Sequence, residues 1–204
     1  MCAGGSGARE TRAAFLPAQI PPQAKGCELV STILLKHMKV YDPAGGRDGA
    51  LADLLLEEGV VRTVGRDLEA PGAEQLDGEG RLCAAPGLVD MHVHLRDPGF
   101  TEKEDILTGC RAAAAGGVTS LLCMPNTRPA VDTPETVRYI LEKAEQADAR
   151  VYVAAAITKG LGNDGELCDL EALREAGPSA FSNDGRPVVG SRKMAQALRT
   201  AAKP

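Results

Sequence analysis

Two histidines separated by one residue, His92 and His94, are the residues of this sequence best suited to metal chemistry. They belong to the segment Pro86–Gly99, in which an apolar run at 88–95 lies between Pro-Gly pairs. This pattern predicts a short, buried β-strand. Because side chains alternate faces along a strand, His92, His94 and Arg96 would share one face, where two imidazoles can reach the same ion. Two buried histidines without polar partners would be costly, and this favours a metal-binding role.

A carboxylate is the expected third ligand. Asp184 follows an apolar, strand-like run and precedes Gly185. On its own, that combination is typical of a turn. If the fold brings Asp184 to the edge that carries His92 and His94, one carboxylate and two imidazoles form a ligand set suited to Zn²⁺ with an open position for water.

Four other polar residues have both a functional and a structural interpretation. The guanidinium of Arg96 suits the carboxylate of a substrate, but a salt bridge is equally compatible with the sequence. Asn126 is either a substrate contact or a turn residue, and Asp90 either supports the metal ligands or is structural. Lys159 is a candidate for a carboxylated bridging lysine, although the sequence favours a solvated loop cation. The remaining histidine, His37, is interpreted as structural or exposed.

Alternating strands and helices must position these residues. Downstream of Pro86, apolar runs predict parallel strands at 88–95, 118–124, 150–157 and 179–183, separated by helical patterns. Such βα units, roughly 30 residues each, place the carboxyl ends of their strands at one edge of the sheet. No glycine-rich phosphate-binding motif follows any of these strands. The sequence therefore favours an α/β fold that is the first half of a (β/α)₈ barrel over a nucleotide-binding open sheet.

The segment that precedes this half-barrel has a different pattern. Short β-type runs within 27–85 predict a small all-β domain, a partial sandwich, with a hairpin between 74–77 and 81–84. Residues 1–26 are rich in Gly, Ala, Pro and Gln and predict a disordered extension. The four βα units then occupy 86–204.

Composition narrows the class of protein. The 204 residues carry a net charge of -5, which argues against a nucleic-acid-binding surface. No stretch approaches the about 20 apolar residues of a membrane span. The six cysteines are scattered, which is typical of reduced thiols in a cytoplasmic protein rather than of a disulfide framework or a zinc finger. They are Cys2, Cys27, Cys83, Cys110, Cys123 and Cys168.

Several separated motifs resemble those of bacterial dihydroorotase, a family of the amidohydrolase superfamily. The resemblance extends from about Leu29 to the end of the sequence. It implies a zinc-dependent barrel enzyme that reversibly cyclises N-carbamoyl-L-aspartate to dihydroorotate in pyrimidine (UMP) biosynthesis. The matching segments are 86–100, 101–105, 116–119, 124–127 and 157–160.

The resemblance also implies a role for each candidate residue. His92 and His94 match the metal-binding His-x-His of the family, and Asp184 matches the aspartate that bridges two zinc ions in one branch. Arg96 and Asn126 match residues that hold the substrate carboxylate, and His94 would also lie at the substrate. The small-molecule substrate is therefore expected to meet both the metal ligands and a carboxylate clamp.

Other functional groups of the family have no counterpart in this sequence. The family's further histidine ligands and its proton-shuttling aspartate are expected beyond Pro204, and no histidine follows His94. No catalytic residue is therefore assigned. We expect the 204-residue chain to bind zinc weakly, to turn over negligibly and to associate with itself through its open sheet edge.

Two alternatives share the same motifs. Allantoinase-like and hydantoinase-like cyclic amidohydrolases also have the His-x-His strand, but Arg96 and the segment 124–127 favour dihydroorotase. The second alternative is a non-catalytic dihydroorotase-like subunit that scaffolds aspartate transcarbamoylase. The presence of His92, His94 and Asp184 argues against it.

Overall fold

A computed structural model describes residues 32–202, which form two compact units, 32–86 and 87–202. The extension predicted at 1–26 lies outside the described residues, as do Cys2 and Cys27. No helix in the described part of the chain is long and apolar enough to cross a membrane.

The first unit is a five-stranded sheet in the order β3-β2-β1-β4, with β5 also paired to β1. The buried side chains of Met38, Val40 and Leu54 form its small core. The alternation of buried and exposed residues along β1 is the period expected for a sheet with one covered face. The strands are β1 (Thr32–Asp42), β2 (Arg47–Glu57), β3 (Val60–Gly65), β4 (Glu74–Asp77) and β5 (Cys83–Ala84).

The hairpin predicted between 74–77 and 81–84 is wrong. Both β4 and β5 instead pair in parallel with β1, which is 11 residues long and has room for both. The turn between them also bonds to β1, because Gly78 N donates to Lys36 O at 2.8 Å and Gly80 N donates to His37 O at 2.9 Å. These bonds hold the connecting residues against β1, so β4 and β5 follow its edge one after the other.

The second unit alternates strands and helices around a parallel sheet in the order β6-β7-β8-β9. This order confirms the parallel βα units expected from the sequence. The strands are β6 (Leu88–Val93), β7 (Val118–Cys123), β8 (Arg150–Ala155) and β9 (Ala180–Phe181). The helices are α1 (Ile106–Ala115), α2 (Pro134–Ala144), α3 (Leu170–Glu175) and α4 (Ser191–Ala201), with a 3₁₀ turn at Lys159–Leu161.

Apolar helix faces cover this sheet and keep its register. Val137 and Ile140, three residues apart on α2, are buried in the same cluster as Leu121 of β7 and Val153 of β8. Helix α2 begins as its sequence indicates, because the Thr133 hydroxyl accepts a hydrogen bond from the N–H of residue 136 and proline is the first helical residue. This packed core therefore holds in position the strand ends that carry the polar residues.

The prediction that the first barrel strand is buried is wrong. Leu88, Val89 and Met91 are 62%, 64% and 72% exposed, and the apolar burial begins only after the strand, at Leu95. The physical reason is the position of β6 at the edge of the sheet, where β7 is its only strand partner among residues 32–202. An apolar run reports hydrophobicity but does not distinguish a central strand from an edge strand.

Candidate metal centre

His92, His94 and Asp184 converge on one point of the second unit. One ligand atom from each residue lies within 4.8 Å of the others. His92 Nε2 is 3.0 Å from Asp184 Oδ1, and His94 Nε2 is 3.7 Å from Asp184 Oδ2. The two imidazole rings stand edge to face with centroids 5.3 Å apart. The three residues singled out from the sequence as metal ligands are thus brought together.

Sheet curvature makes this meeting possible. His92 lies near the end of β6, and Asp184 follows β9, so the two residues come from opposite edges of a four-stranded sheet. In a flat sheet these edge strands would be roughly 14 Å apart, since neighbouring strands are spaced by about 4.8 Å. The 3.0 Å contact between His92 and Asp184 fits a sheet that curls inward, as the wall of a barrel does, with the loop after β9 spanning part of the distance.

Asn183, the residue before Asp184, holds the end of β9 in place through side-chain hydrogen bonds. Its Oδ1 accepts hydrogen bonds from Ile157 N at 3.0 Å and Thr158 N at 3.2 Å, and its Nδ2 donates to Thr158 Oγ1 at 2.7 Å. This buried amide joins the end of β9 to the residues that follow β8. Asp184 then adopts a left-handed conformation, with φ of 38°. The sequence pattern indicates no role for Asn183, and its position beside the candidate carboxylate is the one signal that could have suggested it.

Asn126 lies between two of the candidate ligands. Its Nδ2 donates to Asp184 Oδ2 at 2.5 Å, and its Oδ1 is 2.9 Å from His94 Nδ1. The side chain is therefore part of the cluster that the sequence analysis attributed to metal and substrate. Its contact with a substrate carboxylate stays a prediction.

Arg96 follows the site in a left-handed conformation, with φ of 61°. No carboxylate in the described part of the chain forms an ion pair with its guanidinium, so the salt bridge considered as an alternative is absent from residues 32–202. The group is therefore available for an anion.

The next residue, Asp97, anchors this loop to α2. Its buried carboxylate accepts hydrogen bonds from Tyr139 OH at 3.0 Å and from Lys143 Nζ at 2.5 Å. The hydrogen bond to Asp97 raises the pKa of Lys143. Burial, together with the hydrogen bond to Asp97, raises the pKa of Tyr139. The sequence pattern does not indicate this anchor, because Asp97 precedes a Pro-Gly pair, which is typical of a turn.

The other candidates do not join the cluster. The Lys159 ammonium pairs with Glu166 at 2.9 Å, and this hydrogen bond raises its pKa, so Lys159 is engaged as a loop cation. Asp90 accepts a hydrogen bond from the backbone N–H of His92 at 3.0 Å, which supports the strand end that carries that ligand. His37 lies in the first unit, where its exposed ring pairs with Asp77.

The donor set fits a zinc ion. With zinc–ligand bonds of about 2.1 Å, two ligand atoms of a tetrahedral ion are about 3.4 Å apart. The separations of 3.0 Å and 3.7 Å between imidazole nitrogens and carboxylate oxygens lie on either side of that value.

Comparison with known proteins supports the family resemblance independently of the geometry of the site. A family model described as dihydro-orotase-like matches residues 80–203. The dihydroorotase of Clostridium acetobutylicum is 46% identical over 170 residues, which cover 83% of this chain and 39% of that protein. The dihydroorotase of Pelobacter propionicus is 48% identical over 171 residues, covering 83% and 40%. This chain therefore spans about two fifths of the length of the curated relatives it matches.

A solved structure shares the fold. The L-hydantoinase (dihydropyrimidinase) of Arthrobacter aurescens superposes with a TM-score of 0.67 at 21% identity, over 81% of this chain and 37% of that one. With the parallel strand order and the curled sheet, this similarity confirms the predicted architecture of a partial barrel with a small β unit.

Proposed function

The chain belongs to the dihydro-orotase-like family, and we propose that it forms the metal-binding and carboxylate-binding half of a zinc-dependent dihydroorotase. The reaction would be the reversible cyclisation of N-carbamoyl-L-aspartate to dihydroorotate, a step of pyrimidine biosynthesis. The observation that carries this proposal is the convergence of His92, His94 and Asp184 within 4.8 Å. When bound, zinc supplies an activated water and a Lewis acid for the amide carbonyl.

In this proposal the chain's own residues bind and orient. His92 and His94 would offer imidazole nitrogens to the metal, and Asp184 would offer a carboxylate oxygen beside them. By family resemblance, Asp184 would also bridge to a second zinc ion. Arg96, which has no carboxylate partner in the described residues, would bind the substrate carboxylate through its planar fork. Asn126 would assist with the amide hydrogen that Asp184 does not use. Two fixed donors would align the substrate with the metal site, which lowers the entropic part of the barrier.

We propose that the site is not sufficient by itself. Three ligand groups can hold one zinc ion with an open position for water, but the two zinc ions expected by family resemblance need further ligands, and the sequence contains no histidine after His94. We propose that residues outside this sequence supply the remaining ligands and the acid that moves the proton. The chain alone would then bind zinc weakly and turn over negligibly.

We also propose that the chain associates with itself. The exposed apolar residues of edge strand β6 support self-association, which light scattering can test against the alternative of a monodisperse monomer.

Aspartate transcarbamoylase is a further proposed partner, by family resemblance alone. A cytoplasmic location is proposed from the scattered cysteines, of which the four in the described residues are all free.

A chimera tests the reaction. Residues 32–202 would replace the matching segment of the Clostridium acetobutylicum dihydroorotase, and turnover of dihydroorotate, hydantoin and allantoin would be measured. We expect turnover of dihydroorotate only, and its loss in the His92→Ala and Asp184→Ala chimeras. A folded chimera that hydrolyses hydantoin or allantoin but not dihydroorotate would contradict the proposal. A folded, inactive chimera that still binds aspartate transcarbamoylase would instead favour the scaffold alternative.

A further inference from the structure

We infer that Asn126 is a positioning residue that selects the tautomer of His94 required for metal binding, before any metal arrives. The inference rests on the proposed metal site and assigns Asn126 a role beyond contact with a substrate. It follows from the two hydrogen bonds that the Asn126 amide makes to neighbouring groups.

The first step is the orientation of the amide. An ionised carboxylate only accepts hydrogen bonds, so the Asn126 atom that lies 2.5 Å from Asp184 Oδ2 must be the NH₂ group. The amide oxygen therefore faces His94 Nδ1, at 2.9 Å. A carbonyl oxygen only accepts, and the hydrogen of this bond must come from His94. Asp184 thus dictates through Asn126 that Nδ1 of His94 carries the proton.

The second step concerns the other nitrogen of the same ring. A neutral imidazole has one N–H, so a proton on Nδ1 leaves a lone pair on Nε2. His94 Nε2 is 3.7 Å from Asp184 Oδ2, which is beyond hydrogen-bond range. Two lone-pair-bearing atoms thus face each other without a proton between them. That arrangement becomes favourable when a cation occupies the gap.

His92 shows the contrast. Its Nε2 is 3.0 Å from Asp184 Oδ1, a hydrogen-bond distance, and no partner for its Nδ1 is present among the described residues. In the metal-free protein, Nε2 of His92 can donate a hydrogen bond to Asp184. This proton must leave before Nε2 can bind a metal ion. His94 needs no such exchange. Of the two histidines, His94 is therefore the one whose metal-binding nitrogen is already free of a proton in the metal-free protein.

The backbone around Asn126 holds the amide in place. Pro125, immediately before it, is fully buried, and its carbonyl accepts hydrogen bonds from Thr127 N at 2.9 Å and Val131 N at 3.1 Å. Asn126 uses one of its two amide hydrogens and one acceptor position in these contacts. The second amide hydrogen stays available to a substrate carboxylate, so one side chain can link substrate recognition to the metal ligands.

Nitrogen NMR tests the inference in the metal-free protein. The complete chain would be labelled with ¹⁵N-histidine, and long-range ¹⁵N–¹H spectra recorded near pH 8 would show which nitrogen of each ring carries the proton. Signals are assigned by their loss in the His37→Gln and His92→Gln variants. We expect His94 to be protonated on Nδ1 in the native protein and to move towards Nε2–H in Asn126→Ala.

Zinc affinity provides the second readout. Removal of a group that orients a metal-ligating histidine typically weakens binding by about 10- to 100-fold, and Asn126→Ala should fall in that range. Asn163→Ala, which alters an exposed asparagine, serves as the matched control and should change neither the spectrum nor the affinity. A His94 ring protonated on Nε2 in the native protein, or an unchanged tautomer in Asn126→Ala, would overturn the inference. Neither result depends on turnover, so this test and that of the proposed reaction can fail separately.

Discussion

The carboxylate of Asp184 lies 3.0 Å from Nε2 of His92, although the two residues follow strands at opposite edges of a four-stranded parallel sheet. This contact joins β6 to the loop after β9 through side chains rather than through backbone pairing. It also means that any group that fixes the end of β9 fixes one side of the candidate metal centre.

Asn183 is the first such group. In Asn183→Ala, the buried N–H groups of Ile157 and Thr158 lose their acceptor, and an unsatisfied buried donor is destabilising by about 1–3 kcal/mol. We expect the free energy of unfolding in urea to fall by about 2–4 kcal/mol and zinc binding to weaken, because Asp184 loses its anchor. Asn163→Ala is the control on an exposed asparagine. An Asn183→Ala protein as stable as the control would show that the amide contributes nothing.

The sequence predicted which candidate ligands lie together, but not the groups that support them. The His-x-His spacing and the carboxylate after a strand identified His92, His94 and Asp184, because parallel strands share one reactive edge. The hydrogen bonds by which Asn183 and Asp97 support the site could not be predicted from neighbouring residues, because their partners lie 26 and 46 residues away along the chain. Each resembled an ordinary turn residue.

The sequence pattern also did not indicate which strands pair with each other. The apolar run of β6 was interpreted as buried, but burial depends on neighbours that the run does not specify, and Met91 is 72% exposed. The glycine-rich turn after β4 suggested a hairpin, yet β4 and β5 both follow the long edge of β1. In both cases the period of the sequence identified a strand and left its partner open.

The ion pair between Lys143 and Asp97 predicts a large effect of one surface-facing lysine. Lys143→Met would leave the buried carboxylate of Asp97 without its cation, and loss of one partner of a buried pair is strongly destabilising. We expect the free energy of unfolding to fall by about 3 kcal/mol. Lys159→Met, which removes an exposed pair with Glu166, is the control and should have little effect.

The same pair predicts a pH dependence. Because the hydrogen bond to Asp97 raises the pKa of Lys143 above 10.5, its contribution to stability is complete below that pH and is lost as pH rises through the folded-state pKa. The difference in unfolding free energy between the native chain and Lys143→Met should be constant from about pH 7 to 9 and shrink above about pH 10.5. A difference that grows with alkaline pH would contradict this assignment.

Thiol reactivity reports on the packing of the second unit. Burial raises the pKa of Cys123 to about 12 and those of Cys110 and Cys168 to about 11, so these thiols hold little reactive thiolate near neutrality. Cys83 is exposed. Iodoacetamide labelling of the native chain at pH 8, followed by peptide mass spectrometry, should modify Cys83 well before the other three. Equal labelling of all four would indicate that the core around β7 is not packed as described.

Zinc binding by the purified, metal-free chain is the most direct test of the proposed metal centre. Titration calorimetry at high protein concentration should show saturable, weak zinc binding that weakens further in His92→Ala, His94→Ala and Asp184→Ala and persists unchanged in the control His37→Ala. Equal zinc binding by the native chain and all three ligand variants, with their fold intact by circular dichroism, would contradict the metal centre on which the account rests.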